Sequence, residues 1–343
     1  MLVTRQKLES TIHVVPKQRL VYLNNAKVAC SSIKKALWLA FDPASFTVGT
    51  SPHNRVNSPF CRTLEEISAN ADKFQGATFF TVVRNPYTRI LSAYLDKIST
   101  RNGELSKFRD AAVWHPFCRR YRLSADTTLT FGEFLTMVVR EDPSLVDQHF
   151  GPQYINILTP FMPFDFIGHM EQMPRVWSFL SDFGVTEEEH RPHRTKANTS
   201  LKEFYGPNEI QMVRSFYSED FRLFGYSDDP NQIDPVSDAR RGEGSLDRII
   251  TLIQCYTAPD QDRRQKCIAA VGNVVPSLVT DFIALESDSV QMAKLVYLTN
   301  GAIRGDIQNW KLVARIGEEL LRNNMVYEAA SVTHRAKVLM YGS

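Results

Sequence analysis

A strand that runs through a short loop into a helix most constrains this fold, and the sequence contains that unit twice. Residues 20–23 are an apolar run typical of a buried strand, which ends at Asn24 and Asn25. A helix is predicted from about Ser31, because apolar residues follow it at helical spacing. Ser31 and Ser32 are suitable N-cap residues for that helix.

The second unit lies at residues 77–98. Residues 77–83 are β-branched and aromatic, which predicts a buried strand. Asn85 is a suitable cap, Pro86 suits the first helical position, and an apolar stripe continues to Ile98. Residues 164–168 are a third strand candidate. Strands alternating with helices predict an α/β fold with a mostly parallel sheet flanked by helices.

The composition changes after the last of these units. Residues 228–244 are polar and rich in turn residues, which predicts a linker at 231–244. It separates a domain at 1–230 from an all-α C-terminal region at 245–343, where oligomerisation is possible. Helices are predicted there at 246–256, 263–271, 277–285, 289–298, 307–321 and 327–339.

Bulk properties exclude several classes of protein. A formal net charge of +2 is too small for a surface that coats nucleic acid. The five cysteines are odd in number and lack metal-site spacing, so reduced thiols and no metal site are expected. No stretch has the length of a transmembrane segment, and the charged N-terminus lacks a signal sequence. A cytoplasmic location is therefore expected.

The first candidate site is the loop at residues 25–32. A strand-to-helix loop directs backbone N–H groups and the positive helix end at one point, which suits phosphate or sulfate. Lys27 adds a mobile charge, and Ser31 and Ser32 add hydroxyl donors. The glycines of a Walker A loop are absent. Taken alone, Lys27 is also compatible with a solvated surface lysine.

The second candidate site begins at Arg84, where the second strand ends. Open α/β sheets bind ligands at this carboxyl edge. Arg84 and Ser92 together suit a dianionic phosphate, which accepts charge-assisted hydrogen bonds. The alternative is an arginine paired with a structural carboxylate.

These segments resemble the carbohydrate sulfotransferases of sulfotransferase family 2, which act on chondroitin, dermatan and the HNK-1 glycan in the Golgi. The resemblance covers residues 20–226 and suggests a soluble member of bacterial type. Five segments carry it: 26–31 is similar to P-K-x-A-C-[ST], 84–94 to R-[DE]-P-[FY]-x-R-[LI]-x-S-[AY]-Y, 147–153 to D-x-H-W-x-P-Q, 164–171 to Y-D-F-[IV]-G-x-x-E, and 217–226 to Y-x-x-D-[FY]-x-L-F-x-Y.

The resemblance implies a fold related to P-loop kinases and a donor, 3′-phosphoadenosine 5′-phosphosulfate. It implies that no metal is required and that the acceptor is a carbohydrate hydroxyl. Lys27 is then the catalytic lysine at the bridging oxygen. The remaining donor-binding residues are Val28, Ala29, Cys30, Ser31 and Ser32 at the 5′-phosphosulfate, Arg84 and Ser92 at the 3′-phosphate, and Arg194 and Lys196 in a basic loop.

Transfer to a hydroxyl also needs a base, and histidine suits neutral pH. His53 lies between the two donor motifs, where relatives carry a histidine, and is the first candidate. His149, two residues after Asp147, is the second, and an unnamed carboxylate is the third. An acidic acceptor would be attracted by nearby basic residues, although such charges on amphipathic helices are usually only solvated: Arg55, Arg89, Lys97 and Arg101.

The sequence departs from the family pattern at three positions. Ala26 replaces a proline, Asn85 replaces an acidic residue, and Phe150 replaces a tryptophan, which puts an acceptor-stacking surface in doubt. Two other functions are open: a nucleotide kinase of related fold, and a non-catalytic scaffold that uses the helical C-terminal region.

Overall fold

The computed structural model describes most of the chain. The described residues are 5–16, 18–47, 49–53, 58–99, 111–143, 146–187, 201–258, 260–274, 310–322 and 326–341. The chain divides into two compact units, one formed by Arg5–Arg264 and the other by Gln265–Ser343 with Met1–Thr4.

A four-stranded sheet in the order β1-β2-β3-β4 organises the first unit. Its strands are β1 (Ile12–Val15), β2 (Leu20–Leu23), β3 (Thr78–Val83) and β4 (Phe166–His169). β2, β3 and β4 are parallel, as predicted, and β1 is antiparallel to β2. The carboxyl ends of the three parallel strands therefore lie at one edge of the sheet.

The helices of the first unit account for most of its remaining residues. They are α1 (Arg5–Thr11), α2 (Cys30–Phe41), α3 (Leu64–Ala69), α4 (Pro86–Lys97), α5 (Ala111–Tyr121), α6 (Phe131–Val139), α7 (Gln153–Asn156), α8 (Met173–Ser181), α9 (Leu201–Phe204), α10 (Pro207–Phe216), α11 (Ser218–Phe224) and α12 (Leu246–Thr257). Helix α13 (Gln261–Val274) crosses the boundary between the units.

The sheet is buried on both faces, which gives the mixed α/β architecture its core. Alternate strand residues such as Tyr22 and Phe80 join one apolar cluster with Leu37 of α2 and Leu180 of α8. The residues between them in β2 and β3 are buried as well. Since successive strand side chains point to opposite faces, both faces are covered.

The two helices that follow β2 and β3 begin differently. Asn85 caps α4 by accepting from the Tyr87 N–H at 3.0 Å, and Pro86 takes the first helical position, as predicted. The predicted caps of α2, Ser31 and Ser32, are wrong, because the helix begins at Cys30. Its N-cap is Ala29 in the left-handed conformation, and no side chain caps it among the described residues.

The segment predicted as a linker packs against the first unit. The Asn85 side chain donates to the Ile233 carbonyl at 3.0 Å, and the Arg240 N–H donates to the Leu223 carbonyl at 2.7 Å. Further along, Arg248 at the start of α12 donates to the Pro160 carbonyl at 3.2 Å. These hydrogen bonds attach the predicted linker to the first unit, which runs to Arg264.

Helices α14 (Trp310–Arg322) and α15 (Val326–Tyr341) pack on each other in the second unit. Val313, Ile316 and Leu320 form an apolar cluster with Ala329 and Val332. The helices predicted at 277–285 and 289–298 lie outside the described residues. None of the helices in the described part of the chain is long and apolar enough to cross a bilayer.

Candidate active site

The two strand-to-helix junctions predicted to bind anions meet at the carboxyl edge of the sheet. β2 and β3 are parallel neighbours, so the loop after Leu23 and the motif after Val83 leave the sheet side by side. The guanidinium Nη1 of Arg84 donates to the carbonyl oxygen of Lys27 at 3.3 Å. Residues 57 positions apart therefore form one site.

The amide of Gln153 holds the two junctions together. Its Oε1 accepts from the Asn25 side chain at 3.0 Å and from the Arg84 N–H at 2.9 Å. Its Nε2 donates to the Arg84 carbonyl at 2.8 Å. Gln153 is fully buried, so its amide satisfies polar groups of both junctions inside the core.

Arg89 also holds the loop at residues 25–32 in place, and its guanidinium is not available to an acceptor substrate. Its guanidinium donates to the carbonyls of Ala26 at 3.0 Å, Gly151 at 2.8 Å and Gln148 at 2.8 Å. Only 1% of Arg89 is exposed. The expectation that Arg89 attracts an acidic acceptor is therefore wrong, because all three groups that it contacts are structural carbonyls.

Gln153 supports a prediction about stability. Gln153→Ala removes three hydrogen bonds from buried groups of Asn25 and Arg84, and it leaves a cavity at the sheet edge. We expect the free energy of unfolding to fall by about 2–4 kcal/mol. Urea denaturation measures this loss.

Gln211→Ala is the matched control, because Gln211 is exposed and its side chain donates a surface hydrogen bond to Ser215. We expect the control to change stability by less than about 0.5 kcal/mol. Equal effects of the two alanine substitutions would contradict the clamping role of Gln153.

The loop backbone is shaped to receive an anion. Lys27 and Ala29 both have left-handed conformations, with φ of 69° and 63°. Such conformations are uncommon outside glycine and are typical of functional loops. They turn the chain so that α2 begins at Cys30, with the positive end of the helix at the loop.

The Lys27 ammonium lies in a small buried charge cluster. Its Nζ contacts Asp96 Oδ2 at 2.9 Å, and Lys97 Nζ contacts the same oxygen at 3.1 Å. Burial lowers the pKa of Lys27, and Asp96 opposes that shift. Burial works to raise the pKa of Asp96, but the two ammonium groups outweigh it and lower that pKa to about 2.

Arg84 is a buried cation that remains charged at neutral pH. Its Nε donates to the Thr88 hydroxyl at 3.0 Å, and only 5% of the residue is exposed. Burial lowers the pKa of Arg84 to about 10, and the Glu171 carboxylate works against this. Ser92, also predicted at the 3′-phosphate, is 2% exposed and lies one turn after Thr88 on α4.

His53 lies beside the loop at residues 25–32. Its Nε2 contacts Ser31 Oγ at 2.8 Å, and its Nδ1 contacts Lys34 Nζ at 2.6 Å. A lysine ammonium only donates, so Nδ1 is the acceptor and the ring proton is on Nε2. In this arrangement Nε2 donates to Ser31.

His149 has the opposite tautomer. Its Nδ1 contacts Asp147 Oδ1 at 2.6 Å. Burial works to raise the pKa of Asp147, but the hydrogen bond from His149 outweighs it, so the pKa lies below the usual range. The ionised carboxylate accepts a hydrogen bond from the Nδ1–H group of His149. The proton is therefore on Nδ1, and Nε2 is left as an acceptor.

The structure therefore groups most of the predicted site residues around the two junctions. Arg194 and Lys196 lie outside the described residues. Within the described ranges, no group of three or more His, Cys, Asp or Glu side chains is arranged to hold a metal ion.

Three further side chains at the site were missed from the sequence. The sequence motifs give no role to Asp96 or Lys34, and Gln153 appears only as the last residue of the 147–153 motif. The signal for Asp96 was its place two turns after Thr88 on a helix already assigned to the site. No local pattern identifies the other two.

Comparison with known proteins agrees with this geometry. A family model described as the sulfotransferase family matches residues 10–227, which is more than half of the chain. The chain therefore belongs to the sulfotransferase family.

Its similar relatives include several carbohydrate sulfotransferases. Carbohydrate sulfotransferase 14 of Danio rerio is 28% identical over 65% of this chain and 64% of its own length. The Homo sapiens protein of that name is 32% identical over 49% of this chain and 45% of its own length. Carbohydrate sulfotransferase 10 of Xenopus laevis is 24% identical over 63% of this chain and 67% of its own length.

The chain thus matches between about half and two thirds of the length of the type 14 relatives. No solved structure matches it significantly.

Proposed function

We propose that this protein is a sulfotransferase that moves a sulfuryl group from 3′-phosphoadenosine 5′-phosphosulfate to a carbohydrate hydroxyl. The observation that carries the proposal is the 3.3 Å contact between Arg84 and the Lys27 carbonyl, which joins the two anion-binding junctions. Membership of the sulfotransferase family and the names of the relatives support it.

The donor set at the two junctions fits a nucleotide with phosphates at both ends. One junction offers a lysine and a helix N-terminus without a side-chain cap, and the other offers a buried arginine. A 3′-phosphate distinguishes this donor from ATP, and a buried guanidinium suits such a dianion. We propose that Val28–Ser32 contact the phosphosulfate and that Arg84 and Ser92 contact the 3′-phosphate.

The bound donor supplies an activated sulfuryl group with a phosphate leaving group. Lys27 is the residue proposed to donate to the oxygen on which charge develops, which lowers the barrier electrostatically. The first turn of α2 adds the positive end of a helix at the same point. Positioning by these groups is expected to supply most of the acceleration, as in phosphoryl transfer.

The contacts of the two histidines support His149 over His53 as the base. Asp147 holds the tautomer of His149 in which Nε2 accepts a proton. In His53 the Lys34 contact places the proton on Nε2, so this ring accepts a second proton only if Lys34 releases Nδ1. The order of the two candidates is therefore the reverse of the one expected from the family pattern.

We expect His149→Gln to lower kcat by about 100- to 10,000-fold, the usual contribution of a general base. His53→Gln is the matched variant, and we expect it to lower kcat by less than about tenfold. The pH dependence of kcat checks the assignment, because only loss of the base removes its acidic limb. A larger loss in His53→Gln would assign the base to His53.

The overall function is tested with sulfur-labelled donor and a panel of polysaccharides and smaller glycans. The proposal predicts a labelled glycan with the wild-type chain and at least about 100-fold slower labelling with Lys27→Ala. Transfer of phosphate from ATP with magnesium would establish the kinase alternative instead. A chain that binds a protein partner but transfers neither group would be a scaffold.

We propose a P-loop-kinase-like sheet for the catalytic unit and an all-α C-terminal region, supported by α14 and α15. The cytoplasmic location and oligomerisation through the C-terminal helices stay predictions.

A further inference from the structure

We propose that Asp96 is a positioning residue that keeps the Lys27 ammonium charged and directed at the reacting group. This inference rests on the proposed sulfotransfer and extends it to a residue that does not contact substrate. Lys97 has the opposite effect on the charge of Lys27, because its ammonium group contacts the same carboxylate oxygen of Asp96.

The geometry places Asp96 as the direct partner of Lys27. The Lys27 Nζ to Asp96 Oδ2 distance is 2.9 Å, and each side chain is 9% exposed. Asp96 lies on α4, the helix that begins in the Arg84 motif, so one element carries both the 3′-phosphate residues and this carboxylate. The pair therefore links the two halves of the site through side chains as well as backbone.

The chemistry needs such a carboxylate because Lys27 is buried. A lysine offsets developing negative charge only while it is protonated. Burial disfavours the charged form of a lysine, and a carboxylate within hydrogen-bonding distance restores it. The direction of each effect on the pKa of Lys27 follows this reasoning: burial lowers it, Asp96 raises it, and Lys97 lowers it.

The other groups that face Lys27 do not replace Asp96. Cys30 is the first residue of α2, and it raises the pKa of Lys27 less than Asp96 does. Arg84 meets the loop through the Lys27 carbonyl and carries positive charge. Among these groups, Asp96 is thus the principal source of negative charge for the ammonium.

Asp96 itself is a poor candidate for the unnamed carboxylate base. Two ammonium groups lie within 3.1 Å of one of its oxygens, and its pKa is lowered to about 2. A base with so low a pKa has little driving force to remove a hydroxyl proton near neutral pH. Asp96 is therefore expected to act by stabilising the charged form of Lys27 and not by removing a proton from the acceptor hydroxyl.

Two substitutions in neighbouring residues test the proposal because they act in opposite directions. Asp96→Asn removes the group that raises the pKa of Lys27, so deprotonation of Lys27 shifts to lower pH. Lys97→Met removes a group that lowers this pKa, so deprotonation shifts to higher pH. Simple loss of packing would not give opposite signs in adjacent residues.

The measurement is made on the full chain without donor. Lysine is labelled with ¹³C at Cε, the Lys27 resonance is assigned by its loss in Lys27→Arg, and its chemical shift is followed against pH. The alkaline limb of kcat/KM is then measured for the same variants. We expect the Lys27 titration and the alkaline limb of kcat/KM to shift to lower pH in Asp96→Asn and to higher pH in Lys97→Met.

An unchanged Lys27 titration in both variants, or shifts of equal sign, would overturn the inference. That result leaves the proposed function intact when the wild-type chain transfers sulfuryl groups. Absence of transfer by the wild-type chain would contradict the proposed function, while the titration still decides the role of Asp96. If Asp96→Asn does not fold, the upward shift in Lys97→Met alone supports the proposal and its absence refutes it.

Discussion

Replacing Lys27 with alanine is expected to lower kcat for sulfuryl transfer by about 100- to 1,000-fold. Loss of one preorganised donor to a developing oxyanion typically has an effect of this size. The fold should persist, because Asp96 keeps Lys97 as a partner at 3.1 Å after the substitution. The effect should therefore appear in kcat with an unchanged unfolding midpoint.

Steady-state kinetics with labelled donor measure this loss. Lys35→Ala is a suitable control, since Lys35 lies on the same helix, one residue after Lys34. We expect the control to retain wild-type kcat within about threefold, because Lys35 lies in the second turn of α2, past the first turn that is proposed to bind the donor. Near-wild-type turnover in Lys27→Ala would remove Lys27 from the mechanism.

The second large effect is expected at the other junction. Arg84→Lys keeps a positive charge but loses the planar guanidinium that donates to Thr88 and to the Lys27 carbonyl. We expect the affinity for adenosine 3′,5′-bisphosphate to fall by about 10- to 100-fold, the range for a lost hydrogen bond to a charged group. The affinity for adenosine 5′-monophosphate should change much less.

Calorimetric titration gives the ratio of the affinities for the two nucleotides, and this ratio shows whether Arg84 contacts the 3′-phosphate. In the wild-type chain the 3′-phosphate should increase affinity strongly, and in Arg84→Lys that increase should shrink. A parallel loss for both nucleotides would show that Arg84 supports the loop but does not contact the 3′-phosphate.

The sequence predicted the sheet well where local patterns are strong. The runs at 20–23 and 77–83 coincide with β2 and β3, apart from one residue at the start of β3. Strand β1 was missed, because four residues between a helix and a tight turn carry too little periodicity to separate from their neighbours. Its pairing with β2 is a tertiary effect.

The candidate site was likewise predictable only where local sequence patterns are strong. Lys27 and Arg84 stand in recognisable motifs, and parallel pairing of their strands brings them together. The roles of Gln153 and Arg89 depend on partners about 60 to 130 residues away, which no local pattern encodes. The cap of α2 was wrong because the loop adopts left-handed conformations at Ala29, which residue type does not predict.

A crystal structure with adenosine 3′,5′-bisphosphate tests the central claim most directly, since that claim is that the two junctions bind opposite ends of one nucleotide. The account predicts the 5′-phosphate against Lys27 and the first turn of α2, and the 3′-phosphate against Arg84 and Ser92. A nucleotide bound elsewhere, or bound with only one phosphate at these residues, would contradict it.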